Sequence, residues 1–292
     1  MVEVFGLAPC RCLLLSPLES RDIARSRSGI SSVSVNLGLG RAKVEVVGGE
    51  ALIELNGSRL SVDVDLLEWH LRRRSVLAID GEKVYEVEFR APDSYYKLVP
   101  LERGPPTLEI NGIHMHRVSG TDPLSDASLK VSLAKVSRGD RVLEIGTGLG
   151  YTTIESLKRG AAEIITVEAN EPVLWIAERN PWSWGISSPR VKVLLGDACS
   201  LLDELDFTFD KVIHDPPRLT PGTSCLYSVD FYRSLYRLLR PGGVLFHYTG
   251  EPGRVHGFSL PSKVARNLRE VGFTSIKYYK NAMGVVGVKP KH

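Results

Sequence analysis

Long apolar runs are missing from this sequence: no stretch approaches the roughly 18 apolar residues that a membrane-spanning helix needs. The early segment "CRCLLL" (10–15) is too short for a secretory apolar region, and no positive n-region precedes it. Cysteine is scarce, with only Cys10, Cys12, Cys199 and Cys225, and no C-x-x-C pair offers a zinc site. Cys10 and Cys12 stand too close in the chain for an ordinary bridge, so free thiols in a reducing compartment are expected. A strong charge excess is also absent. The net charge is +3 and the pI about 8.6, which permits an anionic partner without demanding one. No internal repeat or low-complexity tract occurs. These absences leave a cytoplasmic globular protein with no membrane partner. Its 43% hydrophobic and 24% charged residues fit that class, and 292 residues are comfortable for two domains.

The rhythm of the chain changes near residue 120. Before it, short alternating runs dominate: "SVSVNL" (32–37), "KVEVV" (43–47), "RLSVDVD" (59–65) and "KVYEVEF" (83–89). Gly48-Gly49, Asn56-Gly57, Asp80-Gly81 and Asn111-Gly112 separate such runs, and these pairs are strong hairpin signals. Residues 1–120 are therefore expected to form a β-rich N-terminal domain. A helix over about 64–73 should interrupt it, ending in Arg72, Arg73 and Arg74. That arginine run is either a solvated helix end complementing the helix dipole or an RNA-facing patch. His114 and His116 fall two apart on an expected strand and would share a face; sequence places no third ligand, and no metal is expected.

From residue 121 to 292 the pattern is strand, helix, strand, helix. Apolar strands are expected at "RVLEIG" (141–146), "EIITVEA" (163–169), "VKVLLGDA" (191–198), "DKVIHD" (210–215) and "GGVLFHYT" (242–249). "TTIESLKRG", "EPVLWIAERN", "SVDFYRSLYRLLR" and "PSKVARNLREVG" read as the helices between them, and "TSIKYYK" and "GVVGVK" as two closing strands. Such alternation implies an α/β fold with a doubly wound, parallel sheet and a terminal hairpin.

"EIGTGLGY" (144–151) sets Gly146, Gly148 and Gly150 between a strand and a helix, where a backbone without side chains can approach a ligand closely. A dinucleotide fingerprint wants its third glycine at the position of Tyr151, and a phosphate-binding Gly-Lys-Ser/Thr ending is absent. Three acids follow at strand ends. Glu168, 18 residues after Gly150, can accept both hydroxyls of a ribose; Asp197 in "GDA" can hold an adenine amino group; Asp215 ends the fourth strand. In an open α/β sheet ligands lie beyond the carboxyl ends of the strands, so the three acids converge on one crevice. The two prolines of "HDPPR" (214–218) must end that fourth strand, and they supply no amide donors beside Asp215.

With "VLEIGTGLGY", "VEAN", "GDA", "HDPPR", "LLRPGGVLFHY" and the closing hairpin, the chain resembles the class I S-adenosylmethionine-dependent methyltransferases over about residues 120–290. More narrowly, "IHDPPR…LYSVDFYRSLYRLLRPGG" behind a β-rich N-terminal half resembles a predicted archaeal methyltransferase family. The resemblance implies a Rossmann-like fold with S-adenosylmethionine as cofactor. It places Glu144, Gly146, Thr147, Gly148 and Gly150 toward the methionine end, Glu168 at the ribose, and Asp197 with Ala198 at the adenine. Methyltransferases acting on planar amino groups resemble "DPP", in which the Asp215 carboxylate and the Pro216 carbonyl accept the amino hydrogens. Arg218 departs from that pattern, which carries an aromatic residue there; Arg218 and Tyr248 are the expected substrate contacts, with His247 as another ring at the fifth strand end.

Spermidine synthase-like aminopropyltransferases are also similar, pairing a β-rich N-terminal domain with a fragment like "FYRSLYRLLRPGG" and using decarboxylated S-adenosylmethionine. Their motif after the fourth strand resembles Asp-Ser/Thr-x-Asp, whereas here Asp215 is followed by Pro216, Pro217 and Arg218. His214 and Arg218 are expected to repel a cationic substrate. Methyl transfer is thus the expected activity, aminopropyl transfer the first alternative and a non-catalytic cofactor-binding module the second. The N-terminal domain is expected to recognise the acceptor, whose identity sequence leaves open among RNA, protein and small molecules. RNA is slightly favoured, and the oligomeric state is not specified.

Overall fold

The computed structural model describes residues 3–26, 30–250 and 259–291. The chain divides into two compact units: one comprises residues 1–7, 124–171 and 186–292, the other residues 8–123 and 172–185.

The first unit is built on an eight-stranded sheet of β1 (Glu3–Phe5), β2 (Arg141–Ile145), β3 (Glu163–Glu168), β4 (Val191–Leu195), β5 (Phe209–His214), β6 (Leu239–Tyr248), β7 (Thr274–Tyr279) and β8 (Gly284–Val288). Their spatial order is β1-β4-β3-β2-β5-β6-β8-β7. Strands β4, β3, β2, β5 and β6 pair in parallel. β8 runs antiparallel to β6 and to β7, which makes the closing hairpin. β1 adds to the far edge, antiparallel to β4, a strand too short for its period to announce itself.

Parallel neighbours need crossover connections, and the helices α1 (Pro123–Leu133), α2 (Tyr151–Lys158), α3 (Ala198–Leu201), α4 (Val229–Leu238) and α5 (Leu260–Val271) belong to this unit's alternating pattern. Side chains of β2 alternate between two cores. Leu143 and Ile145 join one cluster with Phe231 and Leu235 of α4 and Leu268 of α5. Val142 joins another with Val131 and Ala134 of α1 and Phe246 of β6. Ser228 caps α4, its hydroxyl accepting the Phe231 amide at 3.1 Å, and Gly272 ends α5 at φ +110°.

The thiol expectation is corrected here. Cys10 is bonded to Cys12 and Cys199 to Cys225, with Cα separations of 5.3 and 6.4 Å, inside the span a disulfide bridges. Neighbours in sequence can meet when the backbone turns their side chains together, and residues 26 apart can meet through the fold.

The second unit carries three antiparallel sheets. Ser31–Val35, Gly40–Val47, Glu50–Leu55 and Ser58–Asp63 form a meander, Leu13–Leu15 pairs with Leu77–Asp80 and that strand with Lys83–Glu86, and four short strands between Glu88 and His114 form the third sheet. Asn56-Gly57 and Asn111-Gly112 make the hairpin turns with both residues at positive φ, the geometry that matches strand twist. A helix over Val64–His70 lies where the sequence places one, and Arg73 beyond it grips the Glu86 carboxylate with two hydrogen bonds at 2.9 and 2.6 Å. A second helix, Pro17–Ala24, is opened by Ser16 and Glu19 in a reciprocal capping box that the alternation-based reading overlooked. The strand holding His114 ends there, so His116 does not share its strand face; His116 Nδ1 meets the Thr107 hydroxyl at 3.0 Å. Residues 172–185 are tied in by Trp182, whose indole donates to the Leu37 carbonyl at 3.0 Å. Among the described residues no helix is long and apolar enough to cross a membrane.

Candidate active site

The strand order reverses at β2, with β3 on one side and β5 on the other. A crevice opens at such a point because the crossovers leave in opposite directions. The backbone pulls the ends of the three strands together: the Gly146 amide donates to the Val167 carbonyl at 2.9 Å and the Asp215 amide to the Ile145 carbonyl at 2.9 Å.

The glycine loop fits this place only without side chains. Gly146 has φ +90°, and a Cβ there would lie 2.5 Å from the Asp215 carbonyl oxygen. Gly150, at φ +71°, would drive a Cβ into the Ile186 side chain. Both contacts explain why the loop needs glycine, and the first joins the β2 end to the β5 end.

Glu168 is buried at the end of β3. One of its oxygens accepts the Gly148 amide at 3.0 Å, the other the Asn170 amide at 3.0 Å and its side-chain amide at 3.3 Å. Burial raises its pKa, and these hydrogen bonds oppose the rise. Glu144 is 1% exposed and accepts the hydroxyls of Thr152 and Thr153 in the first turn of α2. Burial pushes its carboxyl up to about 7. Thr147 shares a hydrogen bond with Thr166 at 2.7 Å. Asp197 is exposed and caps α3 by accepting the Cys199 amide at 3.1 Å; Ala198 is the first, buried residue of that helix. The preceding Gly196 amide donates to the Glu168 carbonyl at 2.8 Å, which sets this turn beside Glu168.

The β5 side differs. The strand stops at His214, as two prolines require. Asp215 keeps about a fifth of its side chain exposed and accepts the Lys130 ammonium on Oδ2 at 2.6 Å. Lys130 projects from α1, lies 3.0 Å from Asp126 Oδ2, and stands 4.3 Å from the Tyr248 ring centroid. Burial alone would lower this lysine, but Asp215 and Asp126 outweigh it and hold its pKa above the usual range. Burial raises the Asp215 carboxyl, against the pull of Lys130. Among the described residues no hydrogen bond reaches Asp215 Oδ1 or the Pro216 carbonyl. The Pro217 carbonyl is taken by the Tyr227 hydroxyl at 2.6 Å.

The charge expected on His214 is absent. Its Nε2 lies 2.9 Å from the Leu226 carbonyl and therefore donates, Nδ1 is buried without a partner among the described residues, and burial pushes the ring down to about 4. It is neutral at pH 7 and repels no cation. His247 is also fully buried, with Nε2 on the Tyr232 hydroxyl at 2.9 Å and Nδ1 on the Tyr248 carbonyl at 2.8 Å, so its ring is committed to the interior. Arg218 is exposed, its carbonyl accepting the Thr223 hydroxyl at 2.7 Å.

The structure thus gathers Glu144, the 146–150 loop, Glu168, Asp197 and Asp215 toward the carboxyl ends of neighbouring strands. Sequence reasoning missed Asp126 and Lys130 along with the whole of α1. The signals were present: Asp122-Pro123 opens the helix, and Asp126 and Lys130 stand four apart.

A model of spermine/spermidine synthase domains matches residues 128–284, more than half of the chain. The chain belongs to that family. An uncharacterised protein of Methanocaldococcus jannaschii is 47% identical over 201 residues, 68% of each chain. Putrescine N-methyltransferase 3 of Nicotiana tabacum is 25% identical over 169 residues, 56% of this chain and 44% of that one. The chain therefore spans under half the length of that relative. Among solved structures, spermidine synthase from Thermotoga maritima superposes with a TM-score of 0.57 at 20% identity, covering 70% of this chain and 72% of the other. That likeness shows the fold, a Rossmann-like class I methyltransferase sheet behind a β-rich N-terminal region.

Proposed function

We propose that this transferase-family chain moves the methyl group of S-adenosylmethionine to an amino nitrogen. One observation favours this reading over aminopropyl transfer. The corner after β5 offers a single carboxylate with two acceptors unused among the described residues, Asp215 Oδ1 and the Pro216 carbonyl, and no second acid follows at Pro217 or Arg218. Two acceptors suit the two hydrogens of an amino group.

The donor set suits an adenosyl sulfonium compound: Gly146, Gly148 and Gly150 turn the loop at positive φ and present backbone without side chains, and the buried Glu168 carboxylate stands at the end of the next strand. Glu168 would hold the ribose hydroxyls, Asp197 and the Ala198 backbone the adenine, and Gly146, Thr147, Gly148 and Gly150 the methionine end, with Glu144 bracing the loop. When bound, the sulfonium supplies a methyl carbon: the acceptor nitrogen's lone pair forms the N–C bond, the S–C pair stays on sulfur, and the nitrogen sheds one proton. Asp215 Oδ1 and the Pro216 carbonyl turn the nitrogen by accepting its hydrogens, and such near-attack positioning supplies up to about 7–11 kcal/mol. Burial raises the Asp215 carboxyl, which suits Oδ1 to receive the departing proton. Residues 1–120 are assigned acceptor selection. RNA is the favoured macromolecular acceptor on the mildly basic balance of the chain.

Aminopropyl transfer is the second reading, supported by the family match itself. Calorimetry with S-adenosylmethionine and its decarboxylated form separates the two. Methyl transfer requires tighter binding of S-adenosylmethionine, by tenfold or more, and the reverse preference overturns it.

A further inference from the structure

We propose that Lys130 is a built-in ammonium that occupies the cation position at Asp215, so that the acceptor's attacking nitrogen must arrive uncharged. This selects weakly basic, planar amino groups conjugated to a ring or carbonyl, and rejects alkyl diamines. It rests on the transfer reading above and names the substrate class for that site.

The surroundings of Lys130 are those that would bind an alkylammonium from solution. Its Nζ donates to Asp215 Oδ2 at 2.6 Å, pairs with Asp126 at 3.0 Å and faces the Tyr248 ring at 4.3 Å. Two carboxylates and an aromatic face make a cation site, and the chain fills it with its own side chain. Asp126, four residues back on α1 and 5% exposed, fixes the lysine in place. A buried ion pair of this kind is weak evidence for stability, since apolar replacements of similar volume often fold as well. Its position at the end of β5, against Asp215, is what gives it a functional reading.

Arg218 is exposed and positive where a diamine-binding acid would stand, and His214 is neutral. An alkylammonium brought to Oδ1 would face the Lys130 charge across one carboxylate. A protonated amine also has no lone pair with which to attack. A conjugated amino group carries no charge at pH 7 and still presents two hydrogens, which Oδ1 and the Pro216 carbonyl can accept.

The test is calorimetric titration of putrescine into the wild-type chain, Lys130→Met and the double variant Asp126→Asn/Lys130→Met. The wild type should show no saturable binding into the millimolar range, and both variants should bind at least tenfold more tightly because Asp215 has lost its internal cation. A lysine with a purely structural role would give no such gain. Submillimolar binding by the wild type overturns the proposal without any variant. Folded variants that show no gain overturn it too. If Lys130→Met does not fold, the double variant, which leaves no charge on Asp126, decides. S-adenosylmethionine titrated into the same samples reads the cofactor site separately: its failure to bind counts against methyl transfer and leaves the putrescine comparison standing.

Discussion

On the loop side of the crevice, Glu144 and Glu168 are held by threonine hydroxyls and backbone amides, whereas on the β5 side Asp215 is held by a buried ammonium. Neutral donors stabilise a carboxylate without cancelling its charge, and they leave lone pairs for neutral hydroxyls of a ligand. A lysine shared with Asp126 already fills the cation position on Oδ2, so what Asp215 has left is Oδ1 as a hydrogen-bond acceptor. Within one site, the same chemical group is left with different hydrogen-bonding capacity by what surrounds it.

The largest expected effect breaks the β5 side alone. Asp215→Ala should lower single-turnover transfer at least 1,000-fold, about 4 kcal/mol of transition-state stabilisation, while calorimetric affinity for S-adenosylmethionine changes less than threefold. Transfer at the wild-type rate would reduce Asp215 to an anchor for Lys130.

The two sides are also joined covalently. Cys199 follows the Asp197 cap, Cys225 lies in the turn after "HDPPR", and the bond between them closes a loop of 26 positions. Cys225→Ser should cost about 3.5 kcal/mol in urea unfolding on chain-entropy grounds. Equal stability would show that the bond does not form in solution.

The loop side has its own signature in pH. Glu144 rises from an ordinary 4.5 to about 7 on folding because it is buried. The folded state then binds more protons than the unfolded chain between those values, so wild-type stability falls as pH rises through that window. The loss amounts to about 3 kcal/mol at most. Glu144→Gln should remove it, which urea unfolding at pH 5 and pH 8 reads directly. An unchanged slope would place the titration on another group.

Much of this was legible because it is local. The five parallel strands are short apolar runs bounded by glycine or acids, and the acids sit where the runs stop. Proline marked the end of β5, and Asn-Gly marked the hairpins. What escaped notice lacks a local period. α1 carries Asp126 and Lys130 on its buried side, so its apolar stripe is interrupted by charges. Three residues of β1 cannot show alternation, and Pro17–Ala24 announces itself only by its capping box.

Sequence by itself determined the alternating β/α order, the glycine-rich turn between β2 and α2, and the arrival of three acids at consecutive strand ends, since strand period and proline's missing amide act over a few residues. Tertiary structure alone decided the charge state of the site. Lys130 reaches Asp215 from 85 positions away, Cys199 finds Cys225, and His214 and His247 lose their charge by burial. Ionisation and pairing depend on which groups are close in space and how much water is excluded from them. Neither quantity is a property of neighbours along a chain.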